Sequence, residues 1–206
     1  RLLQPPLPSG SSTDDAVRYW EGWLDRGARI AATGGSDSHW ASVSAVQGVG
    51  QPTTWVFASE RSERGVIEGL RAGRTFISHQ PPALRGPRVF IEADADRDGK
   101  YESMIGDIVP RGSRVRVRVR NAGGTLLRVP RDGGRNIKVD VPVLSDAFTH
   151  TFTAPSTTRW LRAEIYLPDL AEGRRMLCDP LLGGATTYCR NGLLVFAMTS
   201  ALYFAS

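Results

Sequence analysis

The residues Arg114-Val-Arg-Val-Arg-Val-Arg120 alternate basic and apolar without exception. Successive side chains of a strand point to opposite faces, so Val115, Val117 and Val119 share one side and four arginines the other. One face must be buried and the other solvated, which is the habit of an antiparallel sheet. The segments around it are also short and separated by turn residues: Arg88 to Glu92, Thr125 to Val129, Ile137 to Val143, Phe148 to Phe152, Trp160 to Tyr166 and Leu193 to Met198. Together they predict an all-β, sandwich-like domain over residues 86–206. The arginine face could grip a polyanion. No aromatic residues are interleaved with it to stack bases, which argues against nucleic acid.

Before residue 82 the style is different. Ser12 or Thr13 can cap a helix with Asp14 and Asp15 in its first turn, and Val17, Trp20 and Leu24 recur at helical spacing up to Gly27. The apolar run Ala28 to Ala32 reads as a strand. Thr53 to Ala58 follows as another, Ser59 to Ala72 as a helix burying Val66, Ile67 and Leu70, and Thr75 to Ser78 as a third strand. Alternating strands and helices predict a parallel α/β sheet or barrel over residues 1–82. In such folds functional residues gather at the carboxyl ends of strands.

Thr33-Gly-Gly-Ser-Asp-Ser-His39 lies at such an end. Residues two apart on extended chain face the same way, so Asp37 and His39 can offer an oxygen and a nitrogen to one metal ion. The competing reading is a glycine-rich turn with an Asx cap and a surface histidine. His79, before Gln80-Pro81-Pro82, reads as an exposed loop histidine.

Taken in order, Trp20 to Leu24, Gly27, Arg29-Ile30, Thr33 to His39, Gly50-Gln-Pro-Thr-Thr-Trp-Val56 and Leu70-Arg-Ala-Gly-Arg-Thr-Phe76 resemble the last third of a PHP (polymerase and histidinol phosphatase) metallohydrolase domain. Within that superfamily the chain is most similar to the carbaryl-hydrolase-like branch. The resemblance implies the last part of a distorted β/α barrel, with Asp37 and His39 as catalytic metal ligands and zinc, manganese or iron as the ion. It also implies hydrolysis by metal-activated water, with small anionic phosphoesters as the broadest substrate class and carbamate or carboxyl esters next. The family's first ligands form an H-x-H followed by further histidines and a glutamate, whereas this chain has only His39, His79 and His150. The expected partner is therefore the amino-terminal part of the same barrel, supplying the missing ligands. The alternative is a non-catalytic module that binds through its β-sandwich.

Two smaller motifs lie in the second half. Asp94, Asp96 and Asp98, followed by Gly99, match the opening of a calcium loop, although position twelve, a glutamate in an EF-hand, is Ile105. An acidic turn between strands is the alternative. Cys178 and Cys189 have no histidine nearby and are too few for a zinc site, so a disulfide is expected and two free thiols are the alternative. A disulfide implies an oxidising compartment, with the chain secreted or periplasmic. The net charge of +5 could favour an anionic partner, but the basic residues are interspersed with acids. No apolar run approaches the length of a membrane span.

Overall fold

In a computed structural model of the chain, the described residues are 13–36, 49–133, 136–167, 189–190 and 193–205. Two helices precede most of the strands. Helix α1 (Thr13–Leu24) carries Asp14 and Asp15 in its first turn, where the helix dipole favours acids, and buries Val17, Glu21 and Leu24. Strand β1 (Thr53–Val56), helix α2 (Glu63–Arg71) and strand β2 (Thr75–Ser78) follow. The helix begins later than the expected Ser59, because Ser62 caps α2, its side chain accepting from the Gly65 amide.

The remaining strands are β3 (Arg88–Asp94), β4 (Ser103–Met104), β5 (Ile108–Val109), β6 (Arg114–Arg120), β7 (Thr125–Arg131), β8 (Asn136–Val143), β9 (Ala147–Thr153), β10 (Trp160–Leu161), β11 (Glu164–Tyr166), β12 (Cys189–Arg190), β13 (Leu193–Thr199) and β14 (Leu202–Phe204). They build a four-stranded sheet, β4-β3-β6-β9, and a ten-stranded one, β1-β2-β13-β11-β7-β10-β14-β5, with β12 added on β13 and β8 on β7. The core lies between them: Val89, Ile91, Val115, Val117 and Val119 pack with Leu127, Val129, Ile165 and Leu202, all at 0% exposure. The valine face of β6 is buried as its alternation requires.

Three expectations are corrected. The described residues form no barrel, and β1 pairs with β2 antiparallel, not parallel. Phe57 continues that pairing by donating its amide to the Arg74 carbonyl, so the chain doubles back through α2 instead of crossing over. β2 then pairs antiparallel with β13, which places strands from both sides of residues 82–86 in one sheet. Second, α2 buries Gly65 and Gly69, while Val66 and Ile67 are exposed. Gly69 lies against Val56 and Phe57, an approach that larger residues on that edge would prevent. Third, Trp160 to Tyr166 is two strands. The break falls opposite Pro130 of β7, which has no N–H to give, although its carbonyl still accepts from the Arg162 amide.

At that break Arg162 is fully buried and its Nη2 meets two carboxylates, Glu21 of α1 and, at 2.6 Å, Glu164. Glu164 also accepts from the Tyr166 hydroxyl. Trp20 stacks under the guanidinium, 5.2 Å from ring centroid to Cζ. Burial by itself would lower the Arg162 pKa, but the Glu164 and Glu21 charges outweigh it and hold the pKa above the ordinary arginine value. This group ties α1 to the large sheet.

Candidate functional site

Residues 28–36 form neither helix nor strand. They are held along the large sheet by hydroxyl groups. The Ala32 amide donates to Ser200 Oγ at 2.8 Å, its carbonyl accepts from Thr75 Oγ1 at 2.7 Å, and Thr75 Oγ1 and Ser200 Oγ lie 2.7 Å apart. Two residues on, the Gly34 amide donates to Thr54 Oγ1, and that hydroxyl also meets the Gly34 carbonyl, both at 2.8 Å. A side chain at Gly34 would collide with Ile77, whose Cγ2 lies 2.8 Å from where the Cβ would stand. The glycine segment therefore runs close over β1 and β2 and delivers Ser36 to an open cleft of about 610 Å3. The cleft lining includes Val17, Trp20, Ser36, His79 and Met198.

His79 is thus not the exposed loop histidine expected. It follows the end of β2, donates its amide to the Phe196 carbonyl, and is half-buried in the cleft wall. Burial lowers its pKa from the ordinary histidine value. Asp37 and His39, the expected metal ligands, lie outside the described residues. So does Cys178, and of Cys189 only the backbone in β12 is described. His150 stands on β9 opposite Val117.

A second site is built entirely from described residues. β3 and β4 form a hairpin with Glu92 opposite Met104 and Ala93 opposite Ser103, and the loop between them bends through Arg97 and Gly99, at φ +67° and +93°. Positive φ at Gly99 carries no steric cost, which explains the glycine. The bend gathers Asp94, Asp96, Asp98 and Glu102, so that one carboxylate oxygen of each lies within 4.8 Å of the others. The sequence pattern had picked out the three aspartates. Glu102 was missed because the loop was measured against a twelve-residue template, whereas the hairpin geometry brings in the ninth position.

The carboxylates differ in what already holds them. Asp94 Oδ2 accepts from the Gly99 amide at 3.2 Å, and Asp96 Oδ1 from the Asp98 amide at 3.1 Å. Asp98 meets the Lys100 ammonium at 2.8 Å, which holds its carboxyl below the usual carboxylate range. Glu102 Oε1 accepts from the Ala95 amide at 3.1 Å. Asp94 is the exception, with 0% exposure and an Oδ1 that is buried without a hydrogen bond. A buried carboxylate oxygen with no donor costs free energy unless something positive meets it. The acidic group could hold a metal ion.

The arginine face of β6 is partly neutralised. Arg116 and Arg118 both meet Glu92, at 2.8 and 2.5 Å, and stack on Tyr101 and Phe90. Arg114 and Arg120 remain exposed.

Comparison with family models, with curated proteins and with solved structures returns no match. Among the described residues no helix is long and apolar enough to cross a membrane.

Proposed function

We propose that the chain is the carboxyl-terminal part of a metal-dependent hydrolase of the PHP type, acting on small anionic esters, phosphoesters first. The observation that carries this reading is the course of the glycine segment. Hydroxyl groups of Thr54, Thr75 and Ser200 fix it over the sheet, and Ser36, the residue before Asp37, opens into a cleft walled by His79. A D-x-H pair following such a segment would suit a metal that lowers the pKa of bound water and polarises an ester oxygen. Asp37 and His39 would be ligands to that ion, whether zinc, manganese or iron, and the remaining ligands would come from a partner segment amino-terminal to them. Carbamate or carboxyl esters are the second substrate class.

For the acidic hairpin loop the proposed ion is calcium, bound structurally. Oxygen-only ligands with several carboxylates suit a hard cation with high coordination number. A secreted or periplasmic location belongs to the reading in which Cys178 and Cys189 form a disulfide, which needs an oxidising compartment.

The test is made on the complete enzyme, with a generic phosphodiester as substrate. Asp37→Asn and His39→Ala should each remove most of the transition metal and of the activity, by at least about 10-fold. Full metal content in both variants, measured by elemental analysis, would overturn the assignment.

A further inference from the structure

We infer that Glu102 closes the calcium site from the ninth position of its loop, in the role that a twelfth-position glutamate plays in an EF-hand. The inference rests on the calcium reading of this loop and is independent of the hydrolase reading. An EF-hand loop leads into a helix, so its twelfth residue is free to turn back on the ion. Here the chain after the loop is committed elsewhere. Ser103 and Met104 are in the ladder with β3, and Ile105 is in the core at 1% exposure. The last residue able to reach the carboxylates before the ladder begins is Glu102.

Its side chain is already held for the purpose. Oε1 accepts from the Ala95 amide, which anchors the carboxylate across the mouth of the loop and leaves Oε2 for an ion. On the other side, the Asp94 carboxylate is anchored through Oδ2 by the Gly99 amide and keeps Oδ1 buried without a hydrogen bond. The first and last carboxylates of the loop are therefore each fixed by one oxygen to the backbone, and both contribute to the group whose oxygens lie within 4.8 Å. Asp96 and Asp98 supply the third and fifth positions. An ion there joins the end of β3 to the start of β4, next to Tyr101, whose ring carries the Arg116 guanidinium at 4.0 Å.

Calorimetric titration of the EDTA-stripped chain with calcium chloride, then with magnesium chloride, tests this against Glu102→Gln and Asp96→Asn. Glutamine keeps an oxygen for the Ala95 amide and removes only the charge, so the hairpin should survive, as circular dichroism can verify. The expected result is one calcium per chain, at least about 10-fold weaker binding in each variant, and weaker binding of magnesium. Saturable calcium binding that Glu102→Gln leaves unchanged would overturn the role of Glu102 while the calcium reading stands. No saturable calcium binding, or magnesium binding as tight as calcium, would overturn both. His39→Ala should leave the titration unaltered, and loss of calcium there would place the ion elsewhere and overturn the assignment to this loop.

Discussion

Arg162 and Asp94 are both at 0% exposure, yet their charges are answered from different places. Arg162 sits among carboxylates that the fold itself brings from α1 and β11. Asp94 receives one backbone amide, and no basic side chain pairs with it among the described residues. Desolvating a charge is costly in either case, and the cost is met only by partners at hydrogen-bond distance. A buried charge compensated from within is an architectural tie. One whose compensation must come from solution is a place for an ion. The difference separates a charge tied within the fold from one that could take an ion.

The largest effect should come from removing the internal compensation. Arg162→Met takes away the cation between Glu21 and Glu164, and stranding buried carboxylates typically costs ~3–5 kcal/mol. Chemical denaturation should show a loss of that order. A loss under about 1 kcal/mol would mean that the two carboxylates are met in some other way, and the comparison would collapse.

Asp94→Asn probes the other side and should change sign with conditions. In excess chelator the variant should be at least as stable as the wild type, because a buried uncompensated charge has been removed. With calcium at about a hundred times its Kd, the wild type should gain ~2.7 kcal/mol by mass action and the variant much less. Thermal melts in chelator and in calcium would show the curves crossing. Parallel responses of the two proteins to calcium would place the ion away from Asp94.

How far the sequence foretold these features depended on how local their causes are. The β6 strand was legible because strict alternation has one solution on a two-sided sheet. Strands β3, β7, β8, β9 and β13 were likewise found within a residue or two, whereas the two- and three-residue strands β4, β5, β12 and β14 carry too short a pattern to read. The pairing direction of β1 and β2 was not legible. It depends on a nine-residue helix that packs by its glycine edge and turns the chain back, and periodicity assigns burial to Val66 and Ile67 instead. The split between β10 and β11 depends on Pro130 across the ladder, which nothing within residues 160–166 reveals. The acidic loop lies between these cases. Its three aspartates are a sequence pattern, but the contribution of Glu102 follows from where the β3–β4 ladder resumes. The cleft below Ser36 is a tertiary feature, built from α1, β2 and β13, and only its proximity to the D-x-H motif could have suggested it.

The smallest effect concerns His79, a half-buried titratable group of the cleft wall that extends the comparison to a side chain able to shed its charge. Its folded pKa lies below the ordinary value of 6.5, with burial as the cause. The unfolded chain therefore binds a proton more readily than the native one at mildly acidic pH, and stability should fall as pH drops below about 6.5 toward the folded pKa. From about one unit above 6.5 the imidazole is essentially neutral in both states and contributes no slope. His79→Gln should flatten the fall between pH 7.5 and 5.5, measured by denaturation midpoints at constant ionic strength. Some slope should remain from His150, whose pKa burial also lowers. If the midpoints of wild type and variant ran parallel across that range, His79 would not titrate differently on folding, and burial in the cleft wall would carry no electrostatic consequence for it.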